Sequence, residues 1–579
     1  MTPDRDRAAA SWDPRFAAEA EARHEAGLSE GSLPLGIVVG GSLSKGLSVK
    51  LDRATMIEGL AVGRYVVVQG QRLNFFSLVT DVRLDNTNPQ IEKTPPDVSD
   101  PFLAQVFAGT ATFGTLEIAP MLTLDRQSPH ADPRPVKTVP PHFTPVLNAS
   151  ADDVARIFGE RGDPDRKNFH IGEPLDMEGV PVHLDMARVV ERSTGVFGKS
   201  GTGKTFLARL LLFGIVKEKA AVNLIFDMHN EYGWKGSSEG PGGEVKGLKQ
   251  YFPSRVGIFT LDDASSRRRG VHPDFVVQIA YDQLEPEDVA MLSGVLSLTE
   301  VQVNALYSLR RRLGRDWVTK LLADEMPPEL EEFIDQGGLH SGTLGAIQRK
   351  FEALRNFDFL REQVTERTVD RLLEYLGRGM HVVLEFGRYG NSLAAYLLVA
   401  NYLTRRIHKR YVEQKEKALG DIAMEPTPLV ITIEEAHKFL EPQIARETIF
   451  GTIARELRKY NVTLLIVDQR PSGIDSEVMS QLGTRITCLL DDEADIRAVL
   501  TGVSGATQLR QVLARLDSRQ QALLMGHAVP MPVVVQARTY GTPEFNAESA
   551  RFGGDDPQER LQRNVALLRG DDEADDFFG

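Results

Sequence analysis

The apolar pattern changes texture several times along the 579 residues. Up to about residue 30 the chain is Ala/Glu-rich and amphipathic, which predicts a helical arm. From Leu33 to about Asp125 short β-type runs alternate with glycines: Gly36–Gly41, Gly46–Leu51, Tyr65–Gln69, Phe75–Val82 and Thr115–Leu124. Several short strands at this spacing predict a small β-barrel. Pro129, Pro133, Pro135, Pro140, Pro141 and Pro145 follow, and their density reads as an extended linker.

Near residue 150 apolar strands begin to alternate with helices, the pattern of a mostly parallel α/β sheet. The strands fall at Val222–Phe226, Val256–Thr260, Val382–Phe386, Leu429–Ile433 and Thr463–Val467. Residues 284–375 interrupt them with nearly continuous helical texture. There Leu284, Val289, Leu292, Leu296, Leu306 and Leu309 supply the apolar positions of about four inserted helices. The expected organisation is an arm (1–30), a barrel (31–128), a linker (129–150) and a first core part (151–283). A helical insertion (284–375), a second core part (376–545) and a C-terminal segment with an acidic run (546–579) complete it. No internal repeat interrupts this order.

The chemistry concentrates where strand meets glycine. Gly198-Lys199-Ser200-Gly201-Thr202-Gly203-Lys204-Thr205 fills the P-loop pattern. An apolar strand (Val196-Phe197) precedes it, and Phe206, Leu207, Leu210 and Leu211 recur at helical spacing after it. Glycines let consecutive N–H groups point at phosphates, and a helix N-terminus adds positive potential. In this pattern Lys204 reaches the β- and γ-phosphates, and the Thr205 hydroxyl binds Mg²⁺. The segment implies binding of a nucleoside triphosphate.

A second signal is Leu429–Ile433 followed by Glu434-Glu435-Ala436-His437. An apolar strand ending in two carboxylates is a Walker B arrangement. Glu434 would hold Mg²⁺ or its water, and Glu435 would orient and deprotonate the attacking water. Glu434 stands where an Asp is usual and is one methylene longer, which favours a water-mediated metal contact. Asp227 ends the strand after the P-loop helix and is either a ligand-edge carboxylate or a turn cap. Gln469, ending the strand after Walker B, is either a sensor of the γ-phosphate and lytic water or a plain polar strand end. Arg455 and Arg458 lie about one helical turn apart, as an arginine finger or as a solvated basic face.

Composition narrows the partners. The net charge of −14 argues against nonspecific coating of nucleic acid, though not against a local basic channel. Part of the excess sits in the terminal run Asp571, Asp572, Glu573, Asp575 and Asp576. A lone cysteine, Cys488, rules out an intrachain disulfide framework and fits a reducing cytoplasm. The charged N-terminus lacks the apolar core of a signal peptide, and no uncharged apolar run is long enough for a membrane span.

Taken in order, five motifs resemble those of the HerA/FtsK group of P-loop motors, and HerA in particular. They are the P-loop, Asp227-x-His229-x-Glu231-Tyr232, Glu434-Glu435-Ala436-His437, Ala454-Arg455-Glu456-x-Arg458-Lys459 and Gln469-Arg470-Pro471-Ser472. Gly40-Gly41-Ser42-Leu43 with Gly46-Leu47 is similar to the barrel that precedes the motor in that family. The resemblance implies a RecA-like ATPase core, an N-terminal barrel and a helical-bundle insertion, assembled as a homohexamer with ATP sites between subunits. It implies duplex DNA in the channel, translocation by ATP hydrolysis with Mg²⁺, and a nuclease partner of the NurA type in DNA-end processing. It also implies that Arg455 or Arg458 acts in trans. An alternative role for the same ring is an ATP-gated scaffold that activates an effector in anti-phage defence.

Channel phosphates would meet basic clusters: Arg267-Arg268-Arg269, Arg310-Arg311-Arg312, Arg349-Lys350 or Arg405-Arg406-x-x-Lys409-Arg410. Each is equally readable as an exposed helix face.

Overall fold

The computed structural model describes residues 34–552, except 54, 98, 100–106, 108–110, 129, 130, 161, 164, 238–243, 421–424, 446, 447, 504, 518 and 519. The expected arm at 1–30 and the acidic run Asp571–Asp576 lie outside the described residues. The chain divides into two compact units, Met1–Asp153 and Val154–Gly579.

The first unit is a closed antiparallel barrel. Strand Gly46–Leu51 pairs on one side with Gly36–Ser42 and on the other with Thr112–Asp125, which closes the sheet on itself. The long pair Leu73–Asn86 and Thr112–Asp125 carries register shifts at Phe76/Ser77 and Val79/Asp81. Such bulges increase local twist and let long strands curl round a small core. Val49, Val66, Val79, Leu116, Ile118 and Val146 fill that core and are fully buried.

Residues 129–150, expected as a linker, instead contribute two strands. Arg134–Pro135 pairs with the edge at Leu122–Thr123. Pro145–Asn148 sits between Gly36–Ser42 and Tyr65–Gln69 and places Val146 in the core. Proline is tolerated at the first residue of a strand and at a sheet edge, the positions it takes here.

The second unit is built on one twelve-stranded sheet. Its parallel part runs Phe275–Val276, Val256–Thr260, His381–Glu385, Val222–Asp227, Leu429–Glu434, Val462–Asp468, Thr194–Phe197 and Thr484–Thr487. The five strands expected from apolar runs occur here, each within a residue or two. Antiparallel strands Gln521–Gly526, Val533–Ala537, Asn168–Pro174 and Val182–Asp185 extend the sheet beyond what those runs indicated.

Helix Lys204–Lys217 is buried from Phe206 through Val216, so it runs through the core. Phe213 on this helix meets Tyr251, Phe252, Tyr540 and Phe545 at ring-centroid distances of 4.9–6.3 Å. Between Pro286 and Gly377 lie six α-helices, where about four were expected. Trp317 is fully buried among them, its indole N–H donating to the Leu284 carbonyl at 2.8 Å and its ring meeting Phe351 edge-on.

Truncating Leu116 to Ala in the barrel core is expected to cost about 2–5 kcal/mol, as for other fully buried leucines. It reads out as a lower urea midpoint for the barrel, and an unchanged midpoint would contradict the core assigned to it.

Candidate active site

The site is assembled by strand register. Strand Thr194–Phe197 lies parallel to Val462–Asp468, with Phe197 opposite Asp468. That strand lies parallel to Leu429–Glu434, with Glu434 opposite Val467. On the far side Ile225 pairs with Thr432, which carries Asp227 alongside Glu434. The P-loop, Gln469, Glu435 and Asp227 therefore leave the sheet at one carboxyl-terminal edge, where α/β sheets bind ligands.

The P-loop turns through three glycines at positive φ: Gly198 (152°), Gly201 (78°) and Gly203 (93°). A side chain at Gly198 would collide with Cys488 Cβ at 2.7 Å and Thr202 Oγ1 at 2.8 Å. Gly203 caps the helix that begins at Lys204. Thr202 Oγ1 donates to the Lys199 carbonyl at 2.8 Å, and Lys204 Nζ donates to the same carbonyl at 3.0 Å. Lys199 itself pairs with Asp491 at 2.7 Å. Thr205 follows in the first helical turn, half-buried.

Behind this loop lies a buried acidic layer. Asp227 is fully buried and accepts N–H bonds from Glu231, Tyr232 and Gly233 at 2.7, 2.8 and 3.2 Å. It therefore caps the turn that carries Tyr232. Burial, then the charge of Glu385, pushes the Asp227 carboxyl up to about 7.

The Tyr232 hydroxyl donates to Glu434 Oε1 at 2.8 Å. The Tyr396 hydroxyl donates to the Glu434 carbonyl at 2.9 Å and accepts from its N–H at 3.1 Å. Glu434 Oε2 is buried without a hydrogen-bond partner among the described residues. Burial, then Asp227, pushes this carboxyl up to about 8.

Glu435 leaves the strand with φ 49°, a left-handed conformation unusual for a side chain of its size. Gln469 Nε2 lies 3.3 and 3.4 Å from its two oxygens. His437 Nδ1 lies 2.9 Å from Asp468 Oδ2 and 3.6 Å from Glu435 Oε2. The hydrogen bond that its Nδ1–H donates to Asp468 raises the His437 imidazole above its ordinary value. Arg455 is half-buried and donates to the Ala445 carbonyl at 3.4 Å. Arg458 lies in the 3₁₀ turn Leu457–Tyr460, with its side chain outside those described.

Two family models and several named proteins are similar to this chain. The family model "Helicase HerA, central domain" matches residues 169–407, and "HAS barrel domain" matches residues 35–139. A protein of Pyrococcus furiosus named DNA double-strand break repair helicase HerA is 22% identical over 452 residues, 71% of this chain and 76% of that protein. A protein of the same name from Saccharolobus solfataricus is 24% identical over 508 residues, 87% of this chain and 91% of that protein. The chain thus carries a HerA-type central domain with a HAS-barrel domain before it. Among solved structures, VirB4 of Thermoanaerobacter pseudethanolicus aligns with a TM-score of 0.40 at 15% identity, over 65% of this chain and 98% of that one. With a P-loop inside its HerA-type central domain, the chain is an ATPase.

The basic clusters separate into two kinds. Arg310, expected at DNA, instead makes a two-pronged pair with Glu285 at 2.9 and 3.1 Å. Lys350 is likewise committed, to the Ser297 carbonyl at 2.5 Å and Gln302 at 2.6 Å. Arg312 pairs with Glu332 at 2.8 Å. Arg405 and Arg406 both bind the fully buried Asp288, and Arg269 binds the buried Glu385. Arg311 and Arg349 stay exposed, with no ion pair among the described residues.

Several residues at the site carried no signal of their own in the sequence. Tyr396 comes from the first turn of helix Leu393–Ala418, far along the chain from Glu434. Glu385 and Asp468 are strand-end carboxylates, and only the alternation of strand and helix pointed at that edge.

Buried Asp227 and Glu434 set a pH dependence. Both bind protons more tightly folded than unfolded, so their contribution to stability is full below pH 4 and lost as pH rises through about 7 and 8. Unfolding midpoints measured in EDTA without nucleotide should fall between pH 5 and pH 9 more steeply for the wild type than for Glu434→Gln. Parallel curves would contradict the raised carboxyl at 434.

Proposed function

We propose that this ATPase is a ring-forming motor that hydrolyses ATP to move on duplex DNA. One observation carries the reading: three adjacent parallel strands deliver the P-loop, Glu435 and Gln469 to the same sheet edge. The backbone amides of Gly198–Gly203, spread by the positive-φ glycines, are suited to cradle the phosphates of ATP. Lys204 would swing from the Lys199 carbonyl to the β- and γ-phosphates.

The residues fit a nucleotide-bound Mg²⁺ ion, because Thr205 opens the helix and Glu434 Oε2 is an unpaired buried acceptor behind the loop. Mg²⁺ needs few protein ligands when phosphates and water complete its shell, and when bound it neutralises charge on the transferring group. Glu435 takes the proton of the attacking water, and Gln469 holds that carboxylate and senses the γ-phosphate. Arg455 or Arg458 would reach the nucleotide of a neighbouring subunit in a homohexamer.

Duplex DNA is the proposed track, with a NurA-type nuclease as partner in end processing. The names of the relatives, DNA double-strand break repair helicases, support this reading. A cytoplasmic location fits a chain with one cysteine. No helix among the described residues is long and apolar enough to cross a membrane.

Steady-state ATP hydrolysis with and without linear duplex DNA tests the proposal. DNA should stimulate turnover severalfold. Glu435→Gln should bind ATP yet lose about 10²–10⁴ in rate, as expected on removal of a general base. Lys204→Ala should lose binding or turnover. Hydrolysis indifferent to DNA, or a fully active Glu435→Gln, would overturn the reading.

If the exposed arginines touch phosphates, Arg311→Ala with Arg349→Ala should flatten the plot of log affinity against log salt by about 0.9 per lost contact. The same change at Lys350 should leave that slope alone.

A further inference from the structure

Asp468 is a buried carboxylate to which the proposed chemistry assigns no part. It is 1% exposed and stands at the end of the strand beside Walker B. Oδ2 accepts the His437 backbone N–H at 2.8 Å and faces His437 Nδ1 at 2.9 Å, while Oδ1 accepts the Arg470 N–H at 2.7 Å. A carboxylate that served only to cap the two turns would need the backbone bonds alone. The imidazole is a further commitment, and the same Nδ1 lies 3.6 Å from Glu435 Oε2.

We propose that Asp468 and His437 form a positioning couple that holds Glu435 in the orientation needed to take the proton of the attacking water. The inference rests on the reading of Glu435 as the base. Glu435 sits at φ 49°, a strained conformation that persists only where its surroundings enforce it. Two residues on, the His437 backbone is pinned to Asp468, and the Lys438 N–H returns to the Glu435 carbonyl at 2.9 Å.

The turn is thereby fixed from both sides, and the Glu435 carboxylate is directed toward strand Val462–Asp468. There Gln469 meets it from one direction and His437 from another. Nδ1 must carry its hydrogen to bond the Asp468 carboxylate, so the couple also fixes the tautomer of the ring. A Cβ at Gly473 would stand only 3.3 Å from His437 Cβ, so glycine there leaves the room in which the histidine is seated. Neither residue touches the nucleotide in this scheme; both act through Glu435.

The test uses the full chain with ATP and duplex DNA, and compares His437→Ala, His437→Asn and Asp468→Asn with wild type. Misplacing a reacting group by about 1 Å costs up to about 10²-fold. His437→Ala and Asp468→Asn should therefore lose about 10–100-fold in kcat, with KM for ATP within about threefold. Affinity for a non-hydrolysable ATP analogue should be unchanged. His437→Asn, whose amide nitrogen can replace Nδ1 as donor to Asp468, should recover much of the loss.

A wild-type kcat in His437→Ala would overturn the couple, as would a loss of analogue affinity in step with kcat or equal losses in the Ala and Asn variants. Glu435→Gln measured alongside separates the two levels. If it hydrolyses normally, the assignment of the base falls. If it is inert while His437→Ala is fully active, only the couple falls.

Discussion

Everything at the site depends on the parallel pairing of three short strands whose carboxyl ends finish level with one another. Thr194–Phe197, Val462–Asp468 and Leu429–Glu434 are buried along their whole length and held in register by their parallel ladders. A slip of one residue would turn every side chain to the opposite face of the sheet. It would also withdraw Glu435 or Gln469 from the edge where the P-loop opens. Helix Lys204–Lys217, buried from Phe206 to Val216, packs on two of these strands, so a slip would also disrupt that packing.

The cost of that geometry falls on the carboxylates. Asp227, Glu385, Glu434 and Asp468 are all buried at strand ends that carry ligand-binding loops. Specific donors meet each of them: three backbone N–H groups for Asp227, the Tyr232 hydroxyl for Glu434, Ser266 and Arg269 for Glu385, and His437 with two backbone amides for Asp468. An unmet buried acceptor costs about 1–3 kcal/mol, and more if charged. Glu385 Oε1 and Glu434 Oε2 remain unmet among the described residues, and burial pushes the Glu434 carboxyl up to about 8, which favours its neutral form. The additional methylene relative to the usual Asp lets Glu434 reach Tyr232 while its backbone stays tied to Tyr396.

Contiguous features were legible in the sequence. The P-loop needs glycine, lysine and threonine at fixed spacing, and a strand and a helix flank it as expected. The Walker B strand and Gln469 were also found where apolar runs ended. What the sequence hid was contact between distant segments. Tyr396 and Glu434 are joined by a fold that no local spacing reports.

Arg310, Arg405 and Arg406 looked like a basic surface until Glu285 and Asp288 were brought against them. Proline density at 129–150 suggested a linker, yet Val146 is a barrel core residue, because proline at a strand start leaves the next residues able to pair. The strands Gln521–Gly526 and Val533–Ala537 have clear apolar runs, but they join the sheet antiparallel, outside the strand–helix alternation that marks the parallel strands.

The central claim is that ATP hydrolysis at this strand edge is converted into movement along duplex DNA. Displacement of a third strand annealed to a linear duplex measures it directly, because the third strand is removed only when a motor arrives. The account predicts displacement that requires ATP, lags longer as the third strand is set farther from the DNA end, and disappears in Glu435→Gln. DNA-stimulated hydrolysis with no displacement at any distance would contradict it and leave an ATP-gated scaffold in place of a motor.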